Sequence, residues 1–103
     1  MKSSYQISVD FHNAENQAKK LDELADRVER RVADALKTSA EELHSVWKGD
    51  SATKYLRKEN EMTEQLRQIA RGLRDVASDI RRVAKRTYDA EMEALRIAQS
   101  RHS

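Results

Sequence analysis

The sequence has 103 residues, of which 38% are hydrophobic and 37% are charged, and its formal net charge at pH 7 is +2. This length predicts one domain, and the absence of cysteine excludes disulfides and thiolate metal sites. No apolar run approaches the roughly 18 residues of a membrane span or forms a secretory signal. We therefore expect no direct membrane insertion, and export, if it occurs, without a cleaved signal peptide.

The first twelve residues alternate apolar and polar side chains without a capping pattern. An isolated strand would have nothing to pair with in this chain, so residues 1–12 are predicted to be a flexible arm, with an ordered arm as the alternative. Helix-start chemistry comes later, at Asp10, Asn13 and Asn16. The first helix is therefore expected to begin between residues 10 and 16 and to cover about residues 13–46.

Apolar residues in this first segment recur at steps of three and four, which is the spacing of one helical face. They are Leu21, Leu24, Val28, Val32, Leu36, Leu43 and Val46. Alanines at positions 18, 25, 33, 35 and 40 indicate that another helix can approach closely.

The middle of the chain carries a turn signal. Trp47 is the only tryptophan, and Gly49 can adopt the positive φ with which helices commonly end. Either Asp50 or Ser51 can then cap a second helix. The pattern predicts a turn over residues 47–50.

The second helix is predicted to cover about residues 51–98, followed by a short tail at 99–103. It has a heptad pattern in which only Glu59 and Thr87 are polar. Its seam consists of Ala52, Tyr55, Glu59, Met62, Leu66, Ile69, Leu73, Val76, Ile80, Val83, Thr87, Ala90 and Ala94. A weaker row beside it contains Leu56, Ala70, Ala77, Ala84, Leu95 and Ala98. Gly72, inside the pattern, marks either a slight bend or close helix contact, and we favour close contact.

These elements predict an all-α antiparallel two-helix hairpin. Each helix of a hairpin has only one neighbour, so an apolar stripe stays exposed unless a second hairpin covers it. We therefore expect dimerisation into a four-helix bundle. The residues expected to form its core and dimer contact are Leu24, Val28, Val32, Leu43, Leu66, Ile69, Leu73, Val76 and Ile80.

Catalytic and cofactor patterns are missing from the sequence. His12, His44 and His102 are too scattered for a metal site, and there is no phosphate loop or nucleophile elbow. We expect no enzyme activity, no metal and no cofactor. A row of basic residues along the second helix is typical of a helix that binds nucleic acid. Acidic residues interrupt this row, so we favour ion pairing between helices as its role. The row consists of Arg67, Arg71, Arg74, Arg81, Arg82, Lys85 and Arg86.

The chain has Trp47-Lys48-Gly49 at the predicted turn of a proline-free hairpin, followed by Ala52 and Tyr55. With these features, residues 12–98 resemble the WXG100 family. These are the small early-secreted-antigen-like hairpins of type VII secretion. The resemblance implies a protein that is cytoplasmic before export, leaves the cell without a cleaved signal, and is recognised as a folded dimer by a secretion ATPase. The implied partners are the chain itself, a paralogous hairpin, or the N-terminal helical domain of a larger secreted toxin.

The resemblance also gives roles to two groups of residues. It implies that Trp47 and Gly49 contribute to the recognition surface. The family's tail signal is Tyr-x-x-x-Asp/Glu, whereas Tyr88 is followed at the fourth place by methionine, with acids at Glu91 and Glu93. These three residues form at most a degenerate tail signal, and a partner could supply the intact one. The alternative function is a cytoplasmic coiled-coil adaptor unrelated to secretion, and nucleic-acid binding is less favoured.

Overall fold

The computed structural model describes residues 2–46 and 49–101, without the side chains of residues 43–46 and 50. They form two helices, α1 (Ser4–Val46) and α2 (Asp50–Arg101), and the described residues contain no strand. The prediction of an all-α helical hairpin is confirmed. Dimerisation stays a prediction.

The first helix begins much earlier than predicted. Ser3 caps it, because the Ser3 Oγ accepts a hydrogen bond from the Gln6 backbone N–H at 3.1 Å. The Ser3 carbonyl also accepts one from the Ile7 backbone N–H at 3.0 Å. The prediction of a flexible arm over residues 1–12 is therefore wrong from Ser4 onward.

The junction between the helices depends on Gly49. Its φ is +100°, in the left-handed region that favours glycine. Its carbonyl accepts hydrogen bonds from the Thr53 backbone N–H at 3.2 Å and the Thr53 hydroxyl at 3.3 Å, which closes the first turn of α2. Trp47 lies outside the described residues, and α2 ends at Arg101 rather than near the predicted residue 98.

The chain divides into two compact units. The terminal unit comprises Met1–Asp22 and Asp75–Ser103, and the central unit comprises Glu23–Arg74. Within each unit, a segment of α1 packs on a segment of α2 that runs in the opposite direction. Small residues dominate the fully buried positions in both: Ala18 and Ala77 in the terminal unit, and Ala25 and Ala70 in the central unit, are inaccessible to solvent.

These alanines show which row of α2 faces α1. Thr63, Ala70 and Ala77 are buried at intervals of seven residues, and Ala84 is half-buried. The weaker row of the sequence pattern is therefore the one that packs inside the hairpin. Small side chains let two helices approach closely along their length, and this contact leaves the larger residues of the neighbouring row outside.

The predicted seam does not form the core of the single chain. Val32 is buried, and Val28, Leu73 and Ile80 are half-buried. The side chain of Leu43 lies outside the described residues. The remaining members are exposed: Leu24, Leu66, Ile69 and Val76. Periodicity identifies an apolar face, but it does not decide which of two adjacent rows meets the neighbouring helix.

Candidate functional site

A row of large apolar side chains lies exposed on α2. We call Tyr55, Met62, Ile69, Val76 and Val83, together with Leu66, the outer stripe. Its first five members recur at intervals of seven residues and are each 49% to 62% exposed, and Leu66 is 37% exposed. Val76 and Val83 belong to the terminal unit, and the other four members belong to the central unit. Soluble monomers rarely leave many large apolar side chains in water, and a seven-residue interval is the spacing with which helices pair. The outer stripe is therefore the first candidate for a functional surface.

An apolar cavity opens in the terminal unit, beside the stripe residues Val76 and Val83. Its volume is about 460 Å³, and its walls include Ile7 and Phe11 of α1 and Ile80 of α2. The Phe11 ring packs against the Tyr88 ring, with centroids 5.1 Å apart. The cavity is large enough for a bulky side chain from another molecule.

Carboxylates surround this apolar cavity. Asp10, Asp79 and Glu91 line it. The Lys2 Nζ binds Asp10 at 2.9 Å and Glu91 at 3.3 Å. Hydrogen bonds from Lys2 and then Gln6 lower the pKa of the Asp10 carboxyl. These contacts join the beginning of α1 to the second half of α2, so the cavity has a defined wall on both sides.

Ion pairs also join the helices in the central unit. Arg74 donates hydrogen bonds to Asp26 at 2.7 Å and to Glu29 at 3.1 Å. The guanidinium of Arg74 lowers the pKa of the Glu29 carboxyl, and the pKa of Arg74 is raised by hydrogen bonds to Glu29 and Asp26. In the terminal unit, Arg81 pairs with Asp22 at 2.7 Å.

The basic row on α2 is largely engaged by carboxylates. Besides Arg74 and Arg81, Arg71 pairs with Glu64, Arg82 with Asp79, and Lys85 with Asp89. Five of the seven residues in the row therefore have a carboxylate partner. This arrangement favours the interpretation of the row as ion pairing, because charges that are already paired are less able to neutralise phosphates.

The three residues of the degenerate tail signal lie inside α2 and contact the chain itself. Tyr88 is half-buried against Phe11, Glu91 binds Lys2, and Glu93 accepts hydrogen bonds from Arg96. The Arg96 guanidinium lowers the pKa of Glu93. Their role as an export signal stays a prediction.

Sequence reasoning missed the first residues as part of a site. The sequence pattern predicts a flexible arm over residues 1–12, yet Ile7 and Phe11 line the cavity and Lys2 closes it through its contact with Glu91. The signal that could have identified them is the helical spacing of Ile7, Phe11, Ala14 and Ala18, which continues the apolar face of α1 toward the N-terminus.

Two other kinds of site are absent from the described part of the chain. The described side chains, those of residues 2–42, 49 and 51–101, include no group of three or more histidine or acidic residues that could hold a metal ion. Neither described helix is apolar over a stretch long enough to span a bilayer. Of the two turn residues implied by the resemblance, Gly49 has the positive φ that the turn requires.

Comparison with known proteins identifies the family. The family profile WXG100, described as proteins of 100 residues with WXG, matches residues 6–92. Neither the search of curated proteins nor the search of solved structures found a match. The matched range covers most of both helices and includes the sequence Trp47-Lys48-Gly49. The chain therefore belongs to the WXG100 family, whose members are small helical proteins associated with type VII secretion.

Proposed function

We propose that this protein is a type VII secretion substrate, or the helical partner of a larger secreted toxin. In this proposal it works by pairing its outer stripe with another helical hairpin. The folded pair is then recognised by the secretion ATPase and exported without a cleaved signal. The observation that carries the proposal is the exposure of the outer stripe in a chain that belongs to the WXG100 family.

The physical argument for pairing is that the stripe is costly to leave in water. Fully burying a large aliphatic side chain is worth roughly 1.5–3 kcal/mol, so covering the exposed half of each stripe residue gains about 1 kcal/mol per residue. A second helical hairpin offers an apolar row of matching length and period. Pairing of two hairpins closes a core that neither has alone.

The proposal contains no catalytic step. The protein acts by presenting a surface, and we propose that the turn around Gly49 contributes to that surface together with the tail of the partner. Ion pairs join the two helical segments within each unit: Arg74 with Asp26 in the central unit, and Arg81 with Asp22 in the terminal unit. Lys2, just before α1, pairs with Glu91 of α2. A preformed hairpin supports recognition as a folded unit, because less ordering entropy is lost on binding.

The test is a secretion assay in the native host, with and without the secretion ATPase. We expect wild-type protein in the medium only when the ATPase is present. Ile69→Glu should prevent export, because it places a charge where the partner must pack. Gln68→Glu is the matched control, since Gln68 is exposed beside the stripe and outside it.

Two outcomes would contradict the proposal. Protein that stays inside the cell whether or not the ATPase is present would favour the cytoplasmic adaptor. Equal export of the Ile69→Glu and Gln68→Glu variants would show that the outer stripe is not the surface that matters.

A further inference from the structure

We infer that the apolar cavity of the terminal unit binds a small amphiphilic cation, a molecule with an ammonium group on an aromatic or aliphatic body. The ammonium group lies against Glu91, at the end of the cavity near Lys2, and the body lies along Ile80 and Val83. All of these residues belong to the terminal unit. The inference goes beyond the proposed function, because it does not involve pairing with another hairpin.

The size of the cavity fits a small molecule. Its volume is about 460 Å³, and small-molecule sites usually have volumes of roughly 300–1,000 Å³. A cavity of about 150 Å³ is already large enough to hold benzene. A single side chain from another protein would therefore leave most of this cavity unfilled, whereas a molecule with an aromatic ring and a short chain occupies more of it.

The carboxylates lie toward the ends of the cavity, with apolar side chains between them. On α2, Asp79 and Glu91 are twelve residues apart, which corresponds to about 18 Å of helix, and Val83 lies between them. Asp10 of α1 is joined to the Glu91 end through Lys2. An elongated apolar molecule with a positive charge at one end matches this distribution.

The Glu91 end has an unused hydrogen-bond acceptor. The Lys2 Nζ is shared between Asp10 at 2.9 Å and Glu91 Oε1 at 3.3 Å, so one cation serves two carboxylates. The other oxygen of Glu91, Oε2, is buried and has no hydrogen-bond partner among the described residues. A buried acceptor without a donor is unfavourable. An ammonium group supplies both the donor and the missing positive charge.

The opposite end of the cavity is already neutralised. Asp79 pairs with Arg82 at 2.8 Å, and both side chains are 61% exposed, so this carboxylate has a cation partner and remains in water. A second cation would gain little there, because exposed ion pairs contribute little. The charged group of the ligand is therefore assigned to the Glu91 end.

Two aromatic rings lie near the Glu91 end and favour a cation in the same place. Phe11 and Tyr88 both line the cavity, with their ring centroids 5.1 Å apart. Tyr88 is three residues before Glu91, so the two side chains lie on the same face of α2. The faces of such rings attract cations within about 6 Å of the centroid. This environment selects an ammonium group over an anionic or neutral one.

Three small molecules with the same apolar body test the role of the charge. Phenylbutylamine, phenylbutanol and phenylbutyrate are each titrated into the purified, isotope-labelled full chain, and binding is followed by amide NMR. We expect the amine to shift the amides of Phe11, Val83 and Glu91 in a saturable way. The alcohol should bind about tenfold more weakly, because it lacks the charge-assisted hydrogen bond. The anion should cause no saturable shift.

A matched pair of variants locates the charged group. Glu91→Gln should weaken binding of the amine about tenfold and leave binding of the alcohol unchanged. Glu93→Gln is the control, since Glu93 is an exposed carboxylate of the same helix that does not line the cavity. It should leave the affinity for both molecules unchanged.

A second variant is needed because Glu91→Gln also weakens the contact with Lys2. Thr87 is exposed and lines the cavity. Thr87→Lys places a positive charge at the cavity without removing an ion pair. It should weaken binding of the amine and leave binding of the alcohol unchanged, since only the amine is repelled.

Three results would overturn the inference. Equal affinities of the wild type for the amine and the alcohol would show that the carboxylates do not select a cation. Comparable shifts at Met62 and Ile69 in the central unit would indicate general adsorption to exposed apolar side chains. The third result is the absence of a saturable response to the amine. Light scattering on the same sample would then show whether the mass is twice 11.9 kDa, as expected if a second chain fills the cavity.

The secretion assay remains separate from this test. Binding of the amine by a protein that is not exported would contradict the proposed function and retain the cavity as a cation site. Export of a protein that does not bind the amine would do the reverse.

Discussion

The two units of this chain use the same pair of helices in different ways. In the terminal unit, Ile7 is 2% exposed and Phe11 packs on Tyr88, so large side chains lie between the helices and an apolar cavity remains beside them. In the central unit, Ala25 and Ala70 fill the contact, while Met62 and Ile69 remain outside. Both units share a contact of small residues and leave large apolar side chains exposed on α2, but only the terminal unit adds large side chains and a cavity between its helices. The comparison shows that large residues between two helices can leave a cavity beside them, whereas small residues alone close the contact.

The strongest test of this difference is to enlarge a small residue of the central unit. Ala25→Leu should destabilise the protein by about 2–3 kcal/mol, because a fully buried alanine at a close helix contact has no room for three more carbon atoms. The measurement is urea unfolding followed by circular dichroism. Ala33→Leu is the control, since Ala33 is exposed on the same helix, and its effect should be within about 0.5 kcal/mol. Equal effects would contradict the small-residue contact.

The second prediction truncates a large residue of the terminal unit. Phe11→Ala should cost about 2 kcal/mol, less than for a fully buried ring, because Phe11 is only half-buried. Amide hydrogen exchange should show faster opening in the terminal unit than in the central unit. Tyr5→Ala should change little, since Tyr5 is 75% exposed. Faster exchange confined to the central unit would contradict the assignment of Phe11.

The third prediction concerns the ion pairs and has the smallest effect. The folded-state pKa of Glu29 is lowered by Arg74, so the folded state binds a proton less readily than the unfolded state. Its contribution to stability is therefore present above the ordinary carboxyl pKa and is lost as the pH falls below about 4.5. The contribution is small, because the pair is exposed and screened.

The measurement is the melting temperature of the wild type and of Glu29→Gln at pH 7 and pH 3. The decrease between the two pH values should be smaller in the variant. Glu23→Gln, which changes an exposed carboxylate of the same helix, should retain the wild-type decrease. Identical pH responses in both variants would show that the Glu29–Arg74 pair contributes nothing measurable.

Much of the fold was predictable from local signals. Steps of three and four predicted both helices, and Gly49 after the tryptophan predicted the turn. The beginning of α1 was not predicted, because the alternation of Tyr5, Ile7, Val9 and Phe11 imitates a strand and Ser3 was not recognised as a cap. The alternation was misleading because the conformation of this segment depends on contacts with the second half of α2. Those contacts are distant in the sequence.

The candidate site was predictable only in part. The heptad pattern identified the apolar residues of α2, but two adjacent rows satisfied it, and periodicity alone did not decide which row meets α1. The role of the larger row in a dimer stays a prediction. The alanine row packs inside because α1 presents Ala18 and Ala25 to it within their respective units. The cavity could not be inferred, because its walls combine residues about 70 positions apart in sequence.

The spacing of the outer stripe has a consequence for the form of whatever covers it. Five members recur every seven residues from Tyr55 to Val83, whereas an α-helix has 3.6 residues per turn. Within the central unit, a row with this spacing drifts around the helix axis by about 20° per heptad, or about 40° over the two heptads from Tyr55 to Ile69. A straight rod lying parallel to that segment of α2 would therefore move off the row as the heptads accumulate. A partner that follows the row there must wind around the segment in a left-handed sense, as a flexible helix of matching period can do.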